Sequence, residues 1–279
     1  MPLFNIPAPP AYTMSNAPLA QALAQVRYPL IADFESMHGI APLQRELHGN
    51  FPYMQQEKVQ ELSFVAGPAG PSANAAESVN WQFTNDAGSL VVIGAGSATL
   101  SIGDFYTGVE DFAEMFTKLL DALAAVGVSR CDRLGVRYLS IAADSPTEPQ
   151  SWRNWFKPQL VGWPGSDIVG SKSTLASVSQ SQLSIAPEGL PVTLPGNLQA
   201  AVRHGAVPAG TGVPGVPPLA IEAPSYFLDV DVFAEGHQRF LSNQIIEQFH
   251  LFHGEIDKFF FWSLTKEGAK HFGLSVDGD

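Results

Sequence analysis

His250, His253 and Asp257 stand at i, i+3 and i+7, a spacing that puts three metal-ligating side chains on one face of a helix. Asp229 and Asp231 form a D-x-D pair twenty residues earlier, and alternation along a strand turns both carboxylates to the same side. Together they outline a site for a divalent metal, with the aspartates completing the histidine set if the strand packs nearby. Against this, helix-borne zinc sites use spacings such as H-E-x-x-H, which is absent here. The histidines then flank an apolar stripe, and the aspartates belong to a solvated strand face, which shows the same alternation.

The stretch "LVVIGAGSATLSIGD", Leu90 to Asp104, invites comparison with a dinucleotide-binding glycine loop. That loop needs Gly or Ala where this chain has Thr99, and a helix opening at the glycines to aim amides at pyrophosphate. Alternating residues follow instead, so Gly94 and Gly96 read as a tight strand-to-strand connection. No serine lies in G-x-S-x-G, and Cys131 has no recognisable neighbouring base. Trp152, Trp155 and Trp163 cluster closely enough to line a ligand pocket, or to anchor a short helix to the core.

The elements that must position these residues are mixed. Ala20 to Leu30, Gln55 to Phe64, Val79 to Thr84, Ser89 to Ile93, Ala98 to Ile102, Leu134 to Leu139 and the "SYFLDVDVFAEG" stretch carry strand patterns. A helix starting at Asp33 is broken by Gly39 and Pro42, and Val65 to Ser78 is poor enough in large residues to be an exposed loop. The spacing predicts a helix after a Thr107/Glu110 capping box, with Phe112, Phe116, Leu119 and Leu123 on its apolar stripe and Gly127 as terminator. A second long helix runs over roughly 238–264, and Thr265 caps a short final one.

These patterns predict an α+β fold of two similar units, each a mainly antiparallel sheet packed against a long amphipathic helix. The boundaries read as a Pro-rich extended arm over 1–17, an N-terminal domain over 18–147, and a C-terminal domain over 148–279. The last contains a Pro/Gly-rich loop over 186–224, holding a short strand near Gln199 to Ala206.

Composition narrows the function. A formal charge of −12 repels phosphate backbones and anionic membrane surfaces, which argues against nucleic acid and membrane as partners. With one cysteine and neither a signal-peptide pattern nor an unbroken apolar span, a reducing cytoplasm fits best.

The order of "PLAQALAQVRYP", "NWQFTNDAGSLVVI", "DFYTGVEDFAEMF", "LGVRYLSI", "FLDVDVF" and "LFHGEIDKFFFWSLTKEG" resembles a full-length family of uncharacterised proteins scattered sporadically through bacteria and archaea. Such a distribution implies horizontal transfer and a role in conflict with phages or mobile elements. The resemblance brings no catalytic residues with it.

The favoured expectation is a non-catalytic binding or adaptor protein, recognising a protein partner or a second copy of itself and needing no cofactor. Its contact surface is expected on the apolar loop residues Val207, Pro208, Val213, Pro214, Val216, Pro217 and Pro218, since exposed apolar side chains call for cover. The alternative is a metal-assisted hydrolase or nuclease built on Asp229, Asp231, His250, His253 and Asp257.

Overall fold

The computed structural model describes residues 2–67, 70–145, 150–170, 173–213 and 221–276. It is an α+β chain with largely antiparallel strands. In chain order the elements are β1 (Tyr12–Met14), β2 (Leu19–Arg27), α1 (Met37–Leu47), β3 (Tyr53–Gly67), β4 (Gly70–Thr84), β5 (Leu90–Gly94), β6 (Ser97–Ile102), α2 (Val109–Ala125) and β7 (Arg130–Ala143). There follow α3 (Trp152–Trp155), α4 (Pro158–Val161), β8 (Ser179–Ile185), β9 (Leu198–Val207), β10 (Ser225–Arg239), α5 (Ser242–Ser263), α6 (Lys266–His271) and β11 (Leu274–Val276).

Two compact units result, and neither is a consecutive stretch of chain, whereas composition alone suggests a division near Thr147. One gathers Met1–Ala22, Gly135–Ala234 and His250–Asp279; the other gathers Leu23–Leu134 and Glu235–Phe249. The strands β2, β7 and β10 supply residues to both.

In the second unit β3, β4, β5 and β6 form consecutive antiparallel pairs. Their alternation sends Trp81, Phe83, Val91, Ile93 and Leu100 inward, all fully buried. The helix α2 buries Phe112, Phe116, Leu119, Leu120 and Leu123 along one stripe, and Phe249 packs its ring against Phe112 and Phe116. The indole of Trp81 donates to the Phe34 carbonyl at 2.6 Å, so its one polar atom is satisfied on burial.

Several local expectations are corrected here. The glycine stretch closes a two-residue hairpin, Gly94 paired with Ser97, as expected; but Val65–Gly67 and Gly70–Ser78 are strand rather than loop. The β3–β4 ladder runs in unbroken register from Tyr53↔Thr84 outward, and backbone pairing needs no large side chains. Gly39 and Pro42 lie inside α1; the break falls at Ser36, whose hydroxyl caps the helix by accepting from the Gly39 amide at 3.1 Å. A methyl group at Gly39 would overlap the Asp33 carbonyl, which explains the glycine. The Thr107/Glu110 capping box does not form, because Gly108 takes the cap position at φ 152° and the Thr107 hydroxyl bonds Asp111 instead. The second long helix starts at Ser242, since Gln238 and Arg239 still belong to β10.

In the first unit the proline-rich start is no free arm. Leu3 and Phe4 are buried, the Phe4 ring lies 4.8 Å from that of Phe259, and β1 pairs antiparallel with β11. Strands β10, β9 and β8 are consecutive antiparallel neighbours, and Leu139, Val207, Val213, Ile221 and Phe227 form a buried apolar cluster. The Thr265 hydroxyl caps α6 by accepting from Gly268 N at 2.9 Å, as its sequence position predicts.

Candidate functional site

The sequence-derived metal set is dispersed among other partners. Asp229 is 1% exposed, on β10 opposite Arg203 of β9, so it belongs to no solvated face. Arg137 Nε and Nη2 donate to its two oxygens at 2.7 and 2.9 Å, and Arg203 Nε adds a third bond at 2.8 Å, with Arg203 Nη2 a fourth. Two guanidiniums on one carboxylate leave little reason for a metal cation to join them. Burial opposes the charge of Arg137, but the hydrogen bond and charge of Asp229, with Asp231 adding, outweigh it and raise its pKa.

On α5, the carboxylate of Asp257 accepts from the Tyr12 hydroxyl, and the His253 ring lies 5.5 Å from that of Tyr138. His250 is half-buried on the same helix. Among the described residues no group of three or more His, Cys, Asp or Glu side chains is arranged to hold a metal ion.

The expected loop surface is also corrected. Val207 and Val213 are buried rather than exposed, since apolar side chains at the loop's edges gain more by packing on Leu139 and Phe227 than by awaiting a partner. Pro208 is half-buried; Pro214, Val216, Pro217 and Pro218 lie outside the described residues.

What the fold assembles instead is a cavity of about 210 Å³ in the first unit. Its apolar lining includes Trp152, Leu175, Val207 and Pro208, and its polar lining includes Asp144 and Gln150. Asp144 follows the end of β7, tied by its amide to the Pro224 carbonyl at 2.8 Å. Its carboxylate accepts from the Gln150 amide at 2.8 Å and the Ser151 hydroxyl at 3.3 Å. These bonds hold Gln150 at φ 61°, the one non-glycine residue with positive φ among the described residues. That conformation costs on the order of 1–2 kcal/mol, a strain typical of functional positions.

Gln150 is 8% exposed. Its Nε2 donates to the carbonyls of Gly170 and Ser173, both at 3.3 Å, which fixes the carboxamide, because flipping it would set oxygen against oxygen. The other atom, Oε1, is buried and has no hydrogen-bond partner among the described residues. An acceptor left so costs about 1–3 kcal/mol.

Aromatic packing stiffens the wall. Trp152 stacks on Tyr226, centroids 4.8 Å apart and planes at 21°, and the Tyr226 hydroxyl lies 2.7 Å from His204 Nδ1. Burial lowers the pKa of His204 and raises that of Tyr226, so the imidazole accepts and the phenol donates. Of the three clustered tryptophans, Trp152 lines the cavity, Trp155 stacks on His271 at 3.8 Å, and Trp163 is exposed.

Sequence reasoning missed Asp144 and Gln150. "SPTEPQ" reads as punctuation between domains, and the available signal was the pair that brackets it, Asp144 and Ser151. Cys131 is fully buried, and burial pushes its thiol up to about 11, which makes it a poor nucleophile. No family model matches this sequence, and no curated protein matches it either.

Proposed function

We propose that the protein acts by binding, without catalysis, and that the Gln150 cavity anchors a protein partner. One observation carries this reading: a buried side chain is held in a strained backbone conformation beside a cavity, and among the described residues its acceptor has no hydrogen-bond partner. Strain and an unmet acceptor both lower stability, a cost that proteins keep at functional positions. The volume, about 210 Å³, falls below the roughly 300–1,000 Å³ of drug-sized ligand sites and suits one inserted side chain.

The hydrolase alternative asks Asp229 to bind a metal, and its two guanidinium partners speak against that. The expected likeness of the two halves of the sequence, each carrying a long helix after its strands, and a setting in conflict with mobile elements belong to this proposal as its broader frame. The first rests on the recurring strand-then-helix pattern and the second on the sequence resemblance.

Native mass spectrometry of the protein isolated from its host tests the reading. The wild type is expected to carry a second chain at fixed stoichiometry, and Leu175→Trp, which fills the cavity from a half-buried loop position, to lose it. A bare wild-type chain, or a companion held equally by both proteins, overturns the proposal.

A further inference from the structure

In the second unit the β3–β4 pair outruns the strand beside it. The ladder between them runs from Tyr53↔Thr84 to Gly67↔Gly70, but β5 pairs with β4 only over Trp81 to Thr84. From Glu57↔Asn80 outward, eleven residues on each strand pair only with one another among the described residues, over a length of roughly 35 Å. Burial marks the point of departure. Trp81 is fully buried, whereas its register partner Gln56 is exposed, as are Gln55, Glu57 and Lys58. A ribbon of two strands alone is at best marginally stable in water, so a further strand would stabilise it.

The side open to such a strand is the outer edge of β3, the last strand of its sheet. The longest run of chain outside the described residues, 214–220, has seven residues and is too short to line an edge of fifteen. Natural edge strands are blunted by short length, charge, proline or a bulge. β3 has no proline, its register with β4 is unbroken, and its charges, Glu57, Lys58 and Glu61, stop before Leu62. From Leu62 to Ala76 the sequence carries no charge at all.

We infer that this edge is an interface between two copies of the chain, β3 pairing antiparallel with β3 about a twofold axis at Ser63. Charge favours both the occupant and the register. A formal charge of −12 makes two copies repel, and the uncharged end of the ribbon is where they meet at least cost. An axis at Gln60, the middle of the strand, would set Glu57 and Glu61 diagonally across the join from one another. An axis at Ser63 pairs Val59 to Gly67 and sets Glu61 opposite Val65 of the second copy. It also sets Leu62 opposite Phe64, and the twofold repeats that apolar pair on the other side of the axis. This surface belongs to the second unit and does not rest on the Gln150 cavity.

Sedimentation velocity of the full chain over a range of micromolar concentrations tests the inference. The wild type is expected to form a concentration-dependent dimer, and Ser63→Lys, which sets two like charges on the axis, to weaken it about tenfold or more. A wild type that stays monomeric overturns the inference, and so does a dimer that Ser63→Lys leaves intact. Crosslinking carries the test should Ser63→Lys fail to fold. In a Cys131→Ala background, Ser63→Cys is expected to give a disulfide-linked dimer with diamide, because residues facing one another across an antiparallel pair lie within disulfide reach. Ser72→Cys, on β4 and away from the axis, is expected to crosslink far more slowly. Equal crosslinking of the two overturns the pairing. A chain that is monomeric alone and holds a different host protein, released by Ser63→Lys, overturns the second copy as occupant.

Discussion

Arg203 and Asp229 are register partners across the β9–β10 pair, and the Asp229 carboxylate holds Arg203 and Arg137 at once. Removing it would leave two guanidiniums facing each other in a largely buried setting. Asp229→Ala is therefore expected to lower unfolding stability by about 3–5 kcal/mol, and Asp229→Asn by less, because one acceptor oxygen survives. Urea unfolding midpoints measure both. A loss below about 1 kcal/mol for the alanine variant would show that the pair is solvent-screened after all.

Phe4 belongs to the folded body despite its place in a proline-rich segment. It is buried against Phe259, and its amide donates at 3.0 Å to Glu255, a buried carboxylate that also accepts from Lys258 at 2.6 Å. Phe4→Ala is expected to cost about 3 kcal/mol, toward the lower end for a buried phenylalanine. Thermal unfolding of variant and wild type decides it; an unchanged midpoint would return the segment to the status of a loose arm.

The His204–Tyr226 pair predicts an acid-side loss of stability. Unfolded, the imidazole protonates near pH 6.5; folded, burial holds its pKa lower. Just below that pH the unfolded chain binds the extra proton, so stability falls as pH drops from about 6.5 toward the depressed folded value. Chemical denaturation between pH 7 and pH 5 should show a shallower decline in His204→Asn, which can still accept from the Tyr226 hydroxyl. Parallel slopes would count against a buried neutral imidazole.

Cys131 gives the opposite sign on the alkaline side. Its thiol is pushed from 9.0 up to about 11 by burial, so between those values the unfolded chain has lost a proton that the folded chain keeps. Stability from this group is complete below pH 9 and declines as pH rises toward 11. Cys131→Ala should flatten that decline, and iodoacetamide should label the native wild type at pH 8 only as fast as it unfolds. Rapid native labelling would contradict the burial.

Periodicity made the strands and long helices legible, because each buries one face: Trp81 and Phe83 on β4, or Phe112, Phe116 and Leu119 on α2, stand at spacings that only their own element explains. Two things were hidden. Asp229 alternates with valines as any solvated residue would, and nothing local reveals that Arg137 and Arg203, 92 and 26 residues away, converge on it. The cavity was hidden for a related reason. Its polar wall brings together Asp144 and Gln150, six residues apart and joined by a hydrogen bond, while Val207 and Pro208 arrive from a strand end that composition marks as a mobile loop. Units assembled from three chain segments and two are equally invisible to a linear pattern.

The strain at Gln150 can be weighed apart from its side chain. Both Gln150→Ala and Gln150→Gly remove the carboxamide, its two bonds to the Gly170 and Ser173 carbonyls and its unfilled acceptor, so these losses cancel between the two variants. What differs is the backbone: alanine must be forced to φ 61°, whereas glycine adopts it freely, although glycine has more freedom to lose on folding. The steric term is the larger, so Gln150→Gly is expected to be more stable than Gln150→Ala by about 1 kcal/mol, reversing the order usual in helices and strands. Paired urea titrations resolve a difference of that size. An alanine variant as stable as the glycine one would mean that the turn relaxes once the carboxamide is gone. The strain would then come from the side chain's bonds inside the cavity wall, and not from the Asp144 clasp on the backbone.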